Sequence, residues 1–263
     1  MAGPKKSLGQ HWLKDRTILA EIADEVSLDK ADTVLEIGPG LGTLTSELLR
    51  RAGKVIAVEI DGDLARKLPG QFPGTELEVV NQDILTYDLT QLPAASEGGY
   101  SVVANVPYYI TSKIVQYLVT SGNPPKAVVL LIQKEVAQRI VAAPGDMSIL
   151  AISAQVYAEA RLGIPVPAEY FTPPPKVDSQ VVVLETRDTP LVAKDDERAF
   201  FRLVKAGFAA KRKKLRSSLS GGLHMSKPDV ETLLAAAGIS PELRAEDLSI
   251  QQWAQLLAVY RVR

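Results

Sequence analysis

The sequence has no cysteine among its 263 residues, and this absence excludes several kinds of chemistry. Disulfides, thiolate zinc sites and mechanisms with a cysteine nucleophile all need the thiol. Methylation of pyrimidine C5 through a cysteine adduct and deamination at a cysteine-bound zinc are excluded with them. The two histidines, His11 and His224, are too few and too far apart in the chain to indicate a metal cluster. We expect no metal site.

Long apolar runs are also missing from the sequence. No run approaches the roughly 18 residues that would suggest a membrane span, and the N-terminal MAGPKKSLGQHW has two lysines without an apolar stretch behind them. This start indicates neither a secretory signal nor a transit peptide. The hydrophobic fraction of 46% is enough for the core of one large domain with a small appendage. We expect a globular protein in the cytoplasm with no membrane partner.

The first 187 residues alternate between short runs rich in Val and Ile and segments with helical spacing of apolar residues. An order of strand, helix and strand at this period predicts a parallel, doubly wound α/β sheet. The strand-like runs are 33–38, 54–60, 75–80, 100–106 and 126–132. Two more, 148–160 and 179–186, have no obvious crossover helix between them. They are predicted to close the sheet as an antiparallel pair, which gives a mostly parallel sheet of seven strands.

The pattern changes after residue 187, because the remaining apolar residues follow helical spacing almost throughout. This predicts two domains, an α/β domain over 1–187 and a small all-helical domain over 188–263. The charged residues from Lys194 onward sum to a net charge of +5, against −6 for the first 193 residues. A basic C-terminal part on an acidic body suggests a polyanionic partner for that part.

A glycine-rich turn, E-I-G-P-G-L-G at 36–42, follows the first strand of the predicted sheet. In open α/β sheets a ligand lies beyond the carboxyl ends of the strands, where glycines such as Gly38 let the backbone approach it. The single-residue gaps differ from the G-x-G-x-x-G of dinucleotide sites. Glu59, at the end of the second strand, can accept the ribose hydroxyls of an adenosine, and Asp83, after the third, can accept from the adenine amine. This layout is typical of S-adenosylmethionine (SAM) methyltransferases.

The fourth predicted strand ends in N-V-P-Y at 105–108, a polar amide followed by a rigid bend and an aromatic ring. The exocyclic nitrogen of adenine is a poor nucleophile, so an enzyme that methylates it must accept hydrogen bonds from it as it becomes tetrahedral and positive. The Asn105 side-chain oxygen and a backbone carbonyl of the Val106-Pro107 segment can do this. Tyr108 offers a face on which an extruded base can stack.

Two further aromatic residues are interpreted from their neighbours in the sequence. Tyr109 directly follows the N-V-P-Y tetrad and is expected to pack into the core. Phe171 begins the loop F-T-P-P-P-K-V-D-S, which its prolines stiffen. Such a loop can place a second ring against the target base, or the ring can simply anchor the loop.

Together these motifs resemble those of the KsgA-type ribosomal RNA adenine N6,N6-dimethyltransferases, over essentially the whole chain. The matching pieces are L-G-Q-H-W-L at 8–13, E-I-G-P-G-L-G-T-L-T at 36–45, V-I-A-V-E-I-D at 55–61, Q-D-I-L at 82–85, N-V-P-Y-Y-I-T at 105–111, F-T-P-P-P-K-V-D-S-Q-V-V at 171–182 and F-A-A-K-R-K-K-L-R-S-S-L at 208–219. The resemblance implies a Rossmann-like class I methyltransferase domain with SAM as its cofactor. It also implies the substrate, two adjacent adenosines in the 3′-terminal hairpin loop of small-subunit (16S) rRNA. The implied partner is the assembling 30S particle, bound by a monomer.

The resemblance also assigns site residues. The cofactor site would comprise His11, Leu13, Gly38, Glu59, Asp83 and Asn105. The target base would meet Asn105, Pro107, Tyr108 and Phe171. The chain departs from the family at His11-Trp12, where Asn followed by Phe is usual. Since imidazole can donate or accept as an amide does, His11 is kept as a cofactor contact.

Five cations lie within six residues in K-R-K-K-L-R at 211–216, which is predicted to lie on a helix of the second domain. Like charges this close repel one another unless a polyanion is present, so we expect the run to contact RNA phosphates. The predicted RNA-binding residues are Lys211, Arg212, Lys213, Lys214 and Arg216. Lys5 and Lys6 are expected to add to this contact.

Four other functions stay open from the sequence. The related antibiotic-resistance enzymes modify large-subunit rRNA, although the loop at 173–179 and the segment 208–216 favour the small-subunit type. DNA adenine methyltransferases usually carry a larger domain that reads sequence. A non-catalytic ribosome-assembly factor would have no need of the N-V-P-Y tetrad and the cofactor acids. A nucleotide-dependent oxidoreductase is opposed by the glycine spacing.

Overall fold

The computed structural model describes residue 5 and residues 8–262, and its elements are numbered in chain order. The strands are Trp12–Leu13 (β1), Thr33–Ile37 (β2), Lys54–Glu59 (β3), Leu77–Asn81 (β4), Tyr100–Asn105 (β5), Ala127–Gln133 (β6), Ala158–Val166 (β7), Phe171–Thr172 (β8) and Ser179–Thr186 (β9). The α-helices are Arg16–Asp24 (α1), Thr43–Arg51 (α2), Gly62–Lys67 (α3), Thr111–Val119 (α4), Lys134–Ile140 (α5), Ile149–Gln155 (α6), Glu197–Phe208 (α7), Leu215–Leu223 (α8), Lys227–Ala236 (α9) and Ile250–Arg261 (α10).

Seven strands form one sheet in the order β4, β3, β2, β5, β6, β9 and β7. The neighbouring pairs from β4 to β6 are all parallel, and β9 runs antiparallel to β6. This confirms the predicted α/β class and the mostly parallel seven-stranded sheet. The order of the strands reverses at β2, because the chain passes to β3 and β4 on one side and returns to β5 on the other. Ligands bind at such a switch point, beyond the carboxyl ends of the strands.

The central strands are apolar because helices cover both faces of a parallel sheet. In β6 the residues from Val128 to Ile132 have no exposed surface. Burying each such side chain stabilises the fold by about 1.5–3 kcal/mol. β1 and β8 form a separate two-stranded antiparallel sheet, in which Leu13 lies opposite Phe171.

The run 148–160 is a helix followed by the start of a strand, so its prediction as a strand was wrong. Ser148 caps α6 by accepting a hydrogen bond from the Ala151 N–H at 3.1 Å. Periodicity alone cannot assign a short apolar run to strand or helix, and here the serine cap favours the helix. The seventh strand, β7, begins only at Ala158.

The described part of the chain divides into two compact units. The first consists of the residues up to Gln138 together with Glu159–Thr186, and it contains both sheets except for Ala158. The second consists of Arg139–Ala158 and the residues from Arg187 onward. The ranges predicted from the sequence differ from these units at Arg187, which belongs to the second unit, and in the segment 139–158, which clusters with the C-terminal helices.

The second unit contains α7–α10 and buries Trp253, whose side chain has no exposed surface. Two glycines allow close contacts between its elements. A Cβ at Gly207 would lie 2.4 Å from the Trp253 ring, and one at Gly222 would lie 2.6 Å from the Ala206 Cα. Any larger residue at these positions would overlap its neighbour. Among the residues that the structure describes, no helix is both long and apolar enough to cross a membrane.

Candidate active site

A cavity of about 290 Å³ opens at the carboxyl ends of β2, β3 and β5, within the first unit. Its volume is close to the lower limit of ordinary small-molecule sites. The walls come from residues 8–13, from the glycine loop and from the residues that follow β3, β4 and β5. Eight of the predicted site residues line it: His11, Leu13, Gly38, Glu59, Asp83, Asn105, Pro107 and Tyr108.

The glycine loop after β2 is held by hydrogen bonds to β3. Gly38 has φ of 66°, and its N–H donates to the Val58 carbonyl oxygen at 2.9 Å. Gly40 has φ of 56°, and a Cβ there would lie 3.3 Å from Trp12 Nε1. Both positions are in the left-handed region that favours glycine. The loop can therefore present bare backbone to a ligand in the cavity.

Glu59, the last residue of β3, is 4% exposed and organises the backbone around it. One carboxylate oxygen accepts from the Gly40 N–H at 3.0 Å and the other from the Asp61 N–H at 2.9 Å. Burial raises the pKa of Glu59, while these two N–H groups oppose the rise. Asp83 accepts from the Leu85 N–H at 2.9 Å through one oxygen. Each acid thus retains acceptor capacity for a ligand's hydroxyl or amine.

Glu36 also lines the cavity, although it is not among the site residues predicted from the sequence. It is 1% exposed, and its Oε2 has no hydrogen-bond partner among the residues that the structure describes. Burial raises the pKa of Glu36 to about 8, the nearby polar groups of Thr45 oppose the rise, and the charge of Glu59 adds to it. A buried, unpaired carboxyl oxygen needs a partner, and a cationic ligand group can supply one.

The N-terminal strap, which we define as residues 8–13, is fixed at three points by hydrogen bonds to residues outside it. Gln10 Nε2 donates to Asp61 at 3.4 Å, and Asn105 Nδ2 donates to the His11 carbonyl oxygen at 3.2 Å. His11 Nδ1 lies 2.7 Å from the Pro173 carbonyl oxygen. Because that oxygen can only accept, Nδ1 carries the proton of this hydrogen bond. Nε2 is therefore the ring nitrogen of His11 that remains available for the predicted cofactor contact.

Trp12 of the same strap has a buried indole N–H, which makes no hydrogen bond within the described part of the chain. The indole lies next to Gly40 and lines the cavity. In the sequence, Trp12 stands out only as a departure from the Phe that is usual at this position in the family that the chain resembles. An indole nitrogen can act only as a donor, so it suits an acceptor group of a bound ligand.

Tyr108 is held on two sides. Its hydroxyl lies 2.6 Å from Ser179 Oγ, and its ring stacks on His11 with centroids 5.9 Å apart and planes inclined by 13°. Burial raises the pKa of Tyr108, while the hydrogen bond to Ser179 opposes the rise. The phenol is therefore neutral at physiological pH, and the ring has a defined orientation beside Asn105.

Two predictions about aromatic residues were wrong. Phe171 is 2% exposed, belongs to the core around Leu13 and does not line the cavity. The cause is strand pairing, since Phe171 lies opposite the buried Leu13 and cross-strand partners share a face. Tyr109 was expected in the core, yet it is 64% exposed and lines the cavity.

The basic run lies mainly in the turn between α7 and α8, so the prediction that it lies on a helix was wrong. α7 ends at Phe208, and Lys214 is the N-cap residue of α8. Lys214 pairs with Glu242, and Arg216 pairs with Glu242 at 3.5 Å. The other three predicted cations, Lys211, Arg212 and Lys213, are exposed and form no ion pair within the described residues.

The N-terminal lysines were expected to add to this basic surface. Lys5 instead forms ion pairs with Asp61 at 2.9 Å and Asp63 at 3.6 Å. These contacts, the hydrogen bond to Asp61 above all, raise the pKa of Lys5. Lys6 lies outside the described residues. Lys5 therefore has carboxylate partners of its own in the first unit.

Comparisons with known proteins cover nearly the whole chain. The profile of the family described as "Ribosomal RNA adenine dimethylase" matches residues 2–261. "Ribosomal RNA small subunit methyltransferase A" of Dehalococcoides mccartyi (strain CBDB1) is 42% identical over 257 residues, which are 97% of this chain and 88% of that protein.

Two solved structures are similar over both units. A dimethyladenosine transferase from Plasmodium falciparum has a TM-score of 0.81 and 27% identity, and the similarity covers 96% of this chain and 98% of that one. The 23S rRNA methyltransferase ErmE has a TM-score of 0.76 and 30% identity over 94% of this chain and 98% of that one. These similarities confirm the class I methyltransferase fold.

Proposed function

The chain belongs to the ribosomal RNA adenine dimethylase family, and from this we propose that it dimethylates N6 of two adjacent adenosines in the 3′-terminal hairpin loop of small-subunit (16S) rRNA. It is a SAM-dependent rRNA adenine dimethyltransferase. The observation that carries the proposal is the position of Asn105 and Tyr108 in one cavity with the acids Glu36, Glu59 and Asp83. A pure binding protein has no need of this combination.

The cavity fits SAM because its unsatisfied groups match the groups of that molecule. Glu59 and Asp83 have free acceptor capacity for ribose hydroxyls and an adenine amine, and the unpaired Glu36 oxygen suits the ammonium group. Gly38 brings the backbone close, while His11 and Leu13 of the strap complete the walls. The cofactor supplies an electrophilic methyl group on a sulfonium centre. No metal and no covalent intermediate on the protein is needed for its transfer.

Asn105 acts on the target amine through its side-chain oxygen. The amide nitrogen already donates to the His11 carbonyl, so the oxygen is the group left to accept from N6. The Pro107 carbonyl accepts from the Ile110 N–H at 3.3 Å, so we assign the second acceptor role to the Val106 carbonyl. These fixed acceptors stabilise the charge that develops on N6 during transfer.

Tyr108 receives the extruded base on its ring. His11 and Ser179 fix the orientation of this ring before the substrate arrives, so little side-chain freedom is lost on stacking. A stacked base is held in the plane that the in-line displacement requires. Phe171 does not line this cavity, because it is buried in the core.

We assign the small subunit as the substrate, with the assembling 30S particle as partner. The identity to a small-subunit methyltransferase is 42%, against 30% to the 23S rRNA enzyme ErmE. The helical second domain would hold rRNA phosphates through Lys211, Arg212 and Lys213, since these exposed cations have no carboxylate partner among the described residues. The enzyme would act as a monomer in the cytoplasm, where ribosomes are assembled.

The test supplies isotope-labelled SAM to four substrates: immature small subunits, mature small subunits, large subunits and naked rRNA. Mass spectrometry then maps any modified nucleotide. We expect dimethyladenosine at two adjacent positions in immature small subunits alone. Label in large subunits would support the antibiotic-resistance reaction instead, and no label in any arm would overturn the proposal.

The control variant is Asn105→Ala, which removes the acceptor while leaving the cavity walls in place. Loss of a fixed polar group at the reacting centre typically lowers the rate about 10²–10³-fold. Binding of rRNA, measured by filter binding, should persist in the variant, whereas SAM affinity, measured by calorimetry, should fall because Asn105 is also a predicted cofactor contact and holds the strap at His11. Full activity of Asn105→Ala would contradict its assigned role.

A further inference from the structure

Tyr109 is an aromatic side chain that the reaction described above does not use. It follows Tyr108 in the short 3-10 turn Tyr108–Ile110 and lines the mouth of the cavity with 64% of its surface exposed. A Cβ at Gly9 would lie 3.4 Å from two carbons of its ring, so one side of the ring rests against the strap. The remaining surface faces solvent. A ring that has a neighbour on one side and is exposed to solvent on the other can stack with another aromatic ring.

Lys113 lies four residues further on, in the first turn of α4, and also lines the cavity. It is exposed and makes no ion pair within the part of the chain that the structure describes. The cavity is therefore lined by an exposed aromatic ring and, four residues further along the chain, by an exposed cation with no ion pair among the described residues. Base stacking and phosphate contact call for this combination.

We propose that Tyr109 and Lys113 form a binding subsite for the nucleotide that flanks the target adenosine. The flanking base stacks on the Tyr109 ring, and its phosphate contacts Lys113 Nζ. This inference rests on the proposed function, because it needs an RNA strand whose target base enters the cavity.

The chemistry of base extrusion explains why the flanking nucleotide needs a site. When one adenosine leaves the stack to reach Tyr108, its neighbour loses a stacking partner. The Tyr109 side chain is exposed where it lines the cavity, so the neighbour can stay outside and stack there while the target base lies inside. The Tyr109 ring directly follows the residue that receives the target base, so it can replace the lost partner. The two adjacent adenosines would then occupy the cavity and the subsite in turn.

The first test measures methyl transfer to immature small subunits by the full-length chain and three variants. Tyr109→Leu keeps an apolar side chain against Gly9 but removes the aromatic face, and Tyr109→Phe keeps the face. Lys113→Gln removes the charge. Stacking of one base contributes about 1–3 kcal/mol, so we expect the KM for the particle to rise on the order of ten-fold in Tyr109→Leu. Tyr109→Phe should stay within two-fold of the wild type.

Matched controls exclude a general effect of altering the surface. Tyr170 is another exposed tyrosine of the first unit, and Lys67 another exposed lysine, and neither lines the cavity. Tyr170→Leu and Lys67→Gln should leave KM unchanged. SAM affinity by calorimetry should be the same in all variants, since the subsite contacts RNA alone. An unchanged KM in Tyr109→Leu, or an equal rise in Tyr109→Phe, would overturn the proposal.

A second measurement observes stacking directly and does not depend on turnover. A hairpin RNA carries the fluorescent base 2-aminopurine beside the target adenosine, and stacking on an aromatic ring quenches it. Wild type and Tyr109→Phe should quench the probe on binding, whereas Tyr109→Leu should not. Quenching by Tyr109→Leu equal to that of the wild type would contradict the subsite. Absence of methyl transfer by the wild type would instead reject the proposed function, so the two failures can be told apart.

Discussion

Glu36 is the residue of the cavity whose burial most strongly disfavours the ionised form of its carboxyl. Its carboxyl is 1% exposed and lacks a partner for one oxygen in the described structure. Burial, opposed by Thr45 and reinforced by the charge of Glu59, raises its pKa to about 8. An ordinary glutamate has a pKa of about 4.3. Between these two values the folded protein retains a proton that the unfolded chain has lost.

This difference predicts the sign of a pH effect on stability. The contribution of Glu36 to stability is fully present below the unfolded pKa and is lost as pH rises toward about 8. The slope can reach about 1 kcal/mol per pH unit inside that window. In Glu36→Gln the side chain cannot ionise, so the free energy of unfolding should fall less with pH. Urea unfolding at several pH values between about 5 and 8 measures both slopes.

The control for this prediction is Glu76→Gln, which alters an exposed glutamate outside the cavity. That variant should keep the wild-type slope. Equal slopes in the wild type and in Glu36→Gln would show that Glu36 is ionised in the folded protein across the whole window.

Ser179 is predicted to act on the reaction only through Tyr108, as a positioning residue. Ser179→Ala removes the partner of the Tyr108 hydroxyl, at a cost of about 1 kcal/mol in stability. We expect kcat/KM for the rRNA substrate to fall several-fold because the ring gains freedom. In a Tyr108→Phe background, where the hydroxyl is already missing, the same change should have little effect. This double-mutant cycle isolates the hydrogen bond, and additive losses would contradict it.

Most of the residues predicted correctly from the sequence to lie together end a strand of the sheet or follow one within a few residues. Glu59 and Asn105 end parallel strands, and such ends always meet at one edge of the sheet, so position in the chain was sufficient. The predicted positions of Phe171 and Tyr109 differ from the structure because tertiary contacts set the direction of each side chain. Phe171 lies on a strand that pairs with β1, and Tyr109 lies beside Gly9 of the strap. Glu36 was overlooked because, within β2, it reads as an ordinary strand residue. Only its burial and unpaired oxygen distinguish it.

The contact between α7 and α8 depends on the absence of a side chain at Gly222. A Cβ there would lie 2.6 Å from the Cα and Cβ of Ala206, and backbone cannot move aside cheaply. The adjacent Gly221 has no atom within 4 Å of the same position. Two neighbouring glycines of one helix therefore provide a matched pair of substitutions.

We predict that Gly222→Ala destabilises the protein and that Gly221→Ala does not. Alanine favours a helix over glycine by about 1 kcal/mol at either position. At position 222 the overlap should outweigh this gain, with a net loss of about 1–3 kcal/mol. At position 221 the gain should remain, and the unfolding midpoint should rise. Urea or thermal unfolding measures both, and similar changes in the two variants would show that the helices can move apart.

The secondary structure of the buried strands was predicted correctly, whereas that of two short segments was not. Four of the parallel strands, β2, β3, β5 and β6, are buried along most of their length, so their Val and Ile content identifies them, and β4 at the edge is only partly buried. The run 148–160 is short enough that its apolar content fits strand or helix, and its serine cap was not used. The basic run 211–216 was predicted as helical because a helical pattern precedes it, but that helix ends at Phe208. Adjacent like charges do not favour a helix over a turn.

The chain as a whole combines an acidic first part with a basic C-terminal part, although its net charge is only −1. Net charge therefore says little about RNA binding, and the distribution of unpaired cations decides it. Lys211, Arg212 and Lys213 are exposed without carboxylate partners among the described residues, whereas Lys214 is paired with Glu242. A cation that already has a carboxylate partner releases few counterions from RNA.

This distinction predicts how salt affects RNA affinity. Each phosphate contact adds roughly 0.7 to 0.9 to the slope of log affinity against log salt concentration. Replacing Lys211, Arg212 and Lys213 together by glutamine should lower that slope by about two to three, while Lys214→Gln should change it by less than one. Affinity for small-subunit rRNA is measured by filter binding at several salt concentrations. Because none of the four residues lines the cavity, kcat at saturating rRNA should stay at the wild-type value in both variants. An unchanged slope in the triple variant would place the RNA contact elsewhere on the molecule, and a lower kcat would show that the turn acts on the reaction as well as on binding.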